Sequence, residues 1–95
     1  MAFHIGLFLP NTRGTSVIAT TEPPLAKPTF ALNVSITRMA EDAGLDYVLS
    51  ASKWRGYGGK SEFWDHSLES FTLMAALAAS TQRIKLYASV GVQAF

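Results

Sequence analysis

The sequence predicts an α/β protein built on a parallel sheet. Apolar runs of strand length at 3–9, 46–50 and 84–90 alternate with helical patterns at 30–43 and 66–80. The order strand, helix, strand, helix, strand makes two successive crossover units. Such units run right-handed and bring their strands parallel. The first strand is also nearly continuous in apolar residues, as a strand covered on both faces should be.

Phe3 to Leu9 forms strand one, and Pro10, which has no N–H to donate, ends it. His4 near its start suits a local hydrogen bond better than a role at a site. The connection 10–29 holds Gly14, Pro23, Pro24 and Pro28. A connection this long is either a surface insertion or a lid or pocket wall. Helix one follows with Thr29 as N-cap, and Leu32, Ile36, Met39, Ala40 and Ala43 as its apolar stripe. Met39 is read as core filler. Gly44 suits the left-handed position after the helix, with Leu45 folding back as its apolar partner.

Strand two, 46–50, opens into a loop over 51–65. Helix two is predicted over 66–80, capped by Asp65, with Glu69 in its first turn. Leu68, Phe71, Met74, Ala75 and Ala78 would make its buried face, flanked by Leu73 and Leu77. Residues 81–83 break the helix and strand three takes 84–90. No internal repeat or low-complexity segment stands out.

Ninety-five residues make at most one small domain, and 48% apolar residues suit a globular core. The net charge of +1, with scattered basic residues, gives no field toward nucleic acid or an anionic membrane. There is no cysteine, which excludes disulfides, thiol nucleophiles and thiolate metal sites. The longest apolar run, 73–79, is too short to span a bilayer, and the start lacks the pattern of a signal peptide. Cytoplasm is the expectation.

A three-stranded parallel sheet with two helices leaves two raw edges and a half-covered face. Val92 to Phe95 is apolar with no closing helix. Either these residues open a larger α/β domain, or another chain covers the missing surface.

The loop after strand two is the chemically dense stretch, with three glycines, aromatics and cations. Glycine lets a backbone approach a ligand, aromatics stack, and cations meet anions. Lys53 and Arg55 follow the C-terminal end of strand two, where parallel α/β folds hold ligands. The alternative is two solvated cations. Gly59-Lys60-Ser61 resembles the tail of a phosphate-binding P-loop, but Trp54 stands where that pattern needs glycine. Glu62, Asp65, His66 and Glu69 could suggest a metal, yet capping explains Asp65 and Glu69 more simply. No Ser/His/Asp arrangement with elbow spacing is present. Trp54, Tyr57, Phe63 and Trp64 suit either core or the wall of a pocket for a flat ligand.

The run Lys53-x-Arg55-Gly56-x-Gly58-Gly59-Lys60-x-Glu62-Phe63-Trp64-Asp65-His66-x-Leu68-Glu69-Ser70-Phe71 resembles the bacterial luciferase-like flavin-dependent monooxygenases, and among them the pyrimidine (uracil) monooxygenase branch. Ile5-Gly6, Pro28-Thr29-Phe30 and Arg83-Ile84 agree with it. The resemblance implies the N-terminal βαβαβ portion of a (β/α)8 TIM barrel. It also implies reduced FMN from a separate flavin reductase, O2 as co-substrate, and a homo-oligomer. Insertion of one oxygen into a pyrimidine is the implied reaction, the hard chemistry belonging to the cofactor. Monooxygenases of sulfones, chelators or haloaromatics are the alternatives within the class, and a non-catalytic half-barrel that assembles with itself or another chain is the alternative outside it.

Carried over by position, Ser52 and Lys53 match the pair that contacts FMN. Ser52 replaces an aliphatic residue, which points to a backbone contact there. Ser67 stands where the alkanesulfonate branch carries a cysteine, which argues against that branch. Val90-Gly91 is the place where the family often has a non-proline cis peptide. Ser89 to Val92 and the segment 11–27 depart from the pyrimidine branch, which leaves the substrate open. The 95 residues alone are expected to be inactive.

Overall fold

The computed structural model describes residues 3–13, 28–53, 56, 58 and 65–90. Three short strands, β1 (Gly6–Phe8), β2 (Tyr47–Leu49) and β3 (Lys85–Tyr87), form one sheet in the order β1-β2-β3. Both pairings are parallel, with Leu7 opposite Val48 and Val48 opposite Leu86. Hydrogen bonds continue the pairing past the strand ends. Asp46 N–H donates to Ile5 O at 2.8 Å, Leu9 N–H to Leu49 O at 2.8 Å, and Ser50 N–H to Tyr87 O at 3.1 Å.

Helix α1 (Phe30–Asp42) joins β1 to β2, and α2 (Ser70–Ser80) joins β2 to β3. Thr29 caps α1, its Oγ1 accepting the Leu32 N–H at 3.1 Å. At the other end Gly44 takes φ +88°. Its N–H donates to Glu41 O and that of Leu45 to Ala40 O. That double bond pattern terminates a helix where glycine supplies the left-handed residue.

One core lies between the helices and the sheet. Leu9, Ala40, Val48, Leu73, Met74, Leu77 and Ile84 make it, with Leu45, Leu68 and Leu86 packed against it. Each fully buried aliphatic side chain here contributes about 1.5–3 kcal/mol.

Several expectations need correction. Helix α2 begins at Ser70, not at 66, and its N-cap is Glu69, not Asp65. The cause is a short antiparallel pairing with the segment after β1. Arg13 N–H donates to His66 O, Leu68 N–H donates to Asn11 O, and Thr12 bridges Ser67. Residues 66–68 are therefore extended. Asp65 instead accepts the Gly58 N–H at 2.9 Å.

On α1 the buried face is Asn33, Thr37 and Ala40, whereas Leu32 and Met39 are exposed. Polar residues can turn inward because they are bonded locally. Thr37 Oγ1 donates to Asn33 O at 2.7 Å, and Asn33 Nδ2 donates to Thr29 O at 2.8 Å. On α2 the buried residues are Ser70, Leu73, Met74 and Leu77, and Phe71, Ala75 and Ala78 face out. β1 is not covered on both faces: Leu7 and Phe8 are both exposed. It is an edge strand, and among the described residues helices line only one side of the sheet.

Candidate functional site

The C-terminal ends of the three strands meet in a set of buried polar side chains. Ser50 follows β2, Ser89 follows β3, and Ser70 opens α2. Ser50 Oγ and Ser70 Oγ share a hydrogen bond. Ser70 Oγ accepts the Ser89 N–H at 3.0 Å, and Ser89 Oγ donates to Ser50 O at 2.7 Å. Ser50 and Ser70 are essentially fully buried. Such groups are tolerated inside only when bonded, and these three bond one another.

Asn11 performs the same office for β1. It is 0% exposed. Its Nδ2 donates to Ala51 O at 2.8 Å and to Leu68 O at 3.0 Å, and its Oδ1 accepts the Ala51 N–H at 2.9 Å. The residues that follow Ala51 are Ser52 and Lys53, both half-buried. They line a cavity of about 180 Å3 between Ala51–Lys53 on one side and Ser67–Ser70 on the other. Ligand pockets run about 300–1,000 Å3, so this cavity by itself is smaller than one.

A larger recess, about 550 Å3, lies on the sheet face that the helices leave bare. Tyr47 and Tyr87 line it, with ring centroids 5.0 Å apart and planes tilted by 46°. A Cβ on Gly6 would fall 2.1 Å from the Tyr47 ring, so a larger residue there would push aside the ring that lies across β1. His4, Asp46 and Lys85 close this recess near the strand starts. His4 Nδ1 stands 3.8 Å from Asp46 Oδ2, while that oxygen accepts the Ile5 N–H at 2.8 Å. Parallel α/β folds do their chemistry at the opposite, C-terminal rim, so the smaller cavity is the better candidate.

Glu69 borders it. Its carboxylate accepts from the Thr72 hydroxyl and from the Phe71 and Thr72 N–H groups. These bonds, that of the Thr72 hydroxyl foremost, hold its pKa below the usual carboxylate range. Glu69 is thus committed to its helix. Among the described residues no three His, Asp or Glu side chains gather to hold a metal ion.

The structure brings Ser52 and Lys53 to the rim together with Ser67 and Glu69. Arg55, Trp54, Tyr57, Gly59 to Trp64 and Val90-Gly91 as a peptide pair fall wholly or partly outside the described residues, as does the segment 14–27. Asn11 and Ser89 sit in no recognisable motif, and Ser70 lies inside the run that carries the resemblance without a role legible from it. The one legible signal is Asn11 directly after Pro10: a side-chain amide stands where the strand ends.

The donor set fits a reduced flavin. That ring system presents carbonyl oxygens and carries negative charge near one edge, which a lysine ammonium and a serine hydroxyl can meet.

The chain is similar to known proteins over nearly its whole length. The model of the luciferase-like monooxygenase family matches residues 3–93. A protein named pyrimidine monooxygenase RutA from Methylorubrum extorquens is 56% identical over 88 residues, covering 93% of this chain and 23% of that protein. Its namesake from a Bradyrhizobium species is 54% identical over 88 residues, covering 93% of this chain and 24% of that protein. That from Rhizobium rhizogenes is 54% identical over 86 residues, covering 90% of this chain and 23% of that protein. The chain therefore spans about a quarter of the length of these relatives, and no helix among the described residues is long and apolar enough to cross a membrane. The match over residues 3–93, with the parallel βαβαβ order beside it, places this chain in the luciferase-like monooxygenase family.

Proposed function

We propose that this chain forms the opening strands and one cofactor wall of a monooxygenase that uses reduced FMN and O2 on a pyrimidine of the uracil kind. The observation that carries the reading is the 52–56% identity, over nine-tenths of the chain, to proteins named pyrimidine monooxygenase. The rim geometry supports it. Lys53 and Ser52 stand at the C-terminal edge of a parallel sheet, anchored from below by buried hydrogen bonds.

When bound, reduced flavin supplies the electrons that activate dioxygen. The residues described here bind and orient. Lys53 offers a cation to the electron-rich edge of the ring, and Ser52 offers its backbone and hydroxyl. Leu68, which lines the same cavity, packs against the core. A separate flavin reductase delivers the cofactor, the working protein is a cytoplasmic homo-oligomer, and sulfone, chelator or haloaromatic substrates are the alternatives within the class.

The test is a hybrid in which this chain replaces the matching segment of the Methylorubrum extorquens relative. The hybrid is expected to bind FMN and to oxygenate uracil with NADH and a reductase. Lys53→Ala in it should raise the FMN dissociation constant at least tenfold. A folded hybrid that binds no flavin refutes the reading.

A second reading rests on the bare sheet face, where Phe8 is 54% and Tyr87 46% exposed. Apolar surface of this kind suits a non-catalytic chain that pairs with itself or another chain. A flavin-free obligate oligomer in sedimentation experiments would favour it.

A further inference from the structure

We propose that Asn11 is a positioning residue for the cofactor wall, setting the place of Ser52 and Lys53 through the backbone of Ala51. The proposal rests on the assignment of that pair to flavin.

The ladder between β1 and β2 runs as far as Leu9, whose N–H donates to Leu49 O at 2.8 Å. Alternate residues of β1 turn their peptide groups to β2, so after Leu9 the next to do so is residue 11, and Pro10 faces away. In a parallel ladder the bonds are evenly spaced, so Ala51 is the next residue of the neighbouring chain to need partners. Asn11 supplies both from its side chain: Nδ2–H to Ala51 O at 2.8 Å, and Oδ1 from Ala51 N–H at 2.9 Å. A primary amide is a copy of the peptide group, with a donor and an acceptor on one side. The Asn11 side chain therefore stands in for a peptide group and carries the ladder one rung past Leu9.

The same residue also holds the opposite wall. Its second Nδ2 hydrogen reaches Leu68 O at 3.0 Å, and its own carbonyl accepts the Leu68 N–H at 2.8 Å. Four hydrogen bonds thus run from one fully buried residue to the two segments that flank the 180 Å3 cavity. No other residue type does this. Aspartate loses both donors and sets a carboxylate against two carbonyl oxygens. Alanine leaves Ala51 N–H unpartnered inside the protein. Glutamine keeps the amide but adds a methylene to a packed site.

The experiment uses the hybrid protein described above, with FMN as the probe. Asn11→Ala and Asn11→Asp are expected to raise the FMN dissociation constant at least tenfold in the folded fraction, with the Michaelis constant for uracil changed less than threefold. Thr37→Ala, which removes a buried hydroxyl on α1 away from the rim, should lower the melting temperature and leave FMN affinity within twofold. If Asn11→Ala does not fold, Asn11→Gln decides by the same tenfold threshold. FMN affinity within twofold of the parent in folded Asn11 variants overturns the proposal while the flavin assignment stands. A parent hybrid that is folded and binds no FMN refutes the flavin assignment and takes this proposal with it.

Discussion

Replacing Ser70 by alanine tests the clasp that joins the ends of β2, β3 and α2. Ser70 is 2% exposed, and its Oγ serves two partners, the Ser89 N–H at 3.0 Å and the Ser50 hydroxyl. Alanine keeps the helix and removes only the oxygen. The Ser89 N–H then has no acceptor there, and the Ser50 hydroxyl loses its neighbour. An unsatisfied buried polar group costs about 1–3 kcal/mol. Ser89 is only half-buried and can recover part of its loss from water, so its share sits at the low end. Alanine returns about 0.5 kcal/mol of helix propensity. The net expectation is a loss of about 2 kcal/mol. That loss lowers the denaturant midpoint in proportion. Urea denaturation followed by circular dichroism reads it directly, with Ser80→Ala as control. Ser80 Oγ donates only to Ala76 O within its own helix, so its removal should cost under about 0.5 kcal/mol. A Ser70→Ala variant no less stable than Ser80→Ala would mean that the clasp carries no net stability.

Two further outcomes follow from other parts of the fold. Glu41 accepts N–H bonds from Gln82, Arg83 and Ile84, and those bonds, that of Arg83 first, hold its pKa below 4.5. A folded-state pKa below the unfolded one gives stability that is present above the unfolded value and lost as pH falls through the folded one. The melting temperature should therefore drop on acidification below about pH 4.5, and less steeply in Glu41→Gln; equal slopes would refute this role. Glu69 titrates in the same direction, so Glu41→Gln flattens the acid limb without abolishing it. Gly44→Ala meets no atom within 4 Å of the new Cβ, but φ there is +88°. The cost is purely conformational, about 1–2 kcal/mol, read as a lower denaturant midpoint, and Gly44→Asn should lose less.

Element order, parallel pairing and both ends of α1 were legible in the sequence because they depend on local chemistry. Thr29 before an apolar-periodic run and Gly44 before Leu45 act through bonds within a few residues. The start of α2 was not legible. Asp65 and Glu69 are both capping residues by type, and what decides between them is the pairing of 66–68 with 11–13, more than fifty residues away in sequence. The buried faces of both helices were misjudged for a related reason. Hydropathy ranks Leu32, Met39 and Phe71 above Asn33, Thr37 and Ser70, yet the latter are buried with partners inside, Asn33 through Nδ2 alone, its Oδ1 accepting no hydrogen bond among the described residues. Lys53 was found at the candidate site by its place after β2. Asn11 was not, because its role is to pair with a backbone forty residues on.

The two ends of this sheet are held by different physics, and the difference bears on where a ligand can act. At the N-terminal rim the clamps are exposed and charged. The Glu41 carboxylate gathers three N–H groups ahead of β3, the Arg83 guanidinium donates to Glu41 O at 2.6 Å, and Arg38 Nε donates to Ser80 O at 3.2 Å. Water competes for every one of these groups, so each can break and re-form without exposing the core. At the C-terminal rim Asn11, Ser50 and Ser70 are neutral and sealed from water. A buried network of this kind has no solvent to relax into, so it holds its geometry or fails as a unit. Preorganised geometry matters most where a cofactor must be met without reorganisation. A rim that forfeits hydrophobic burial for neutral hydrogen bonds is built for position first, and in this chain that rim is the one carrying Ser52 and Lys53.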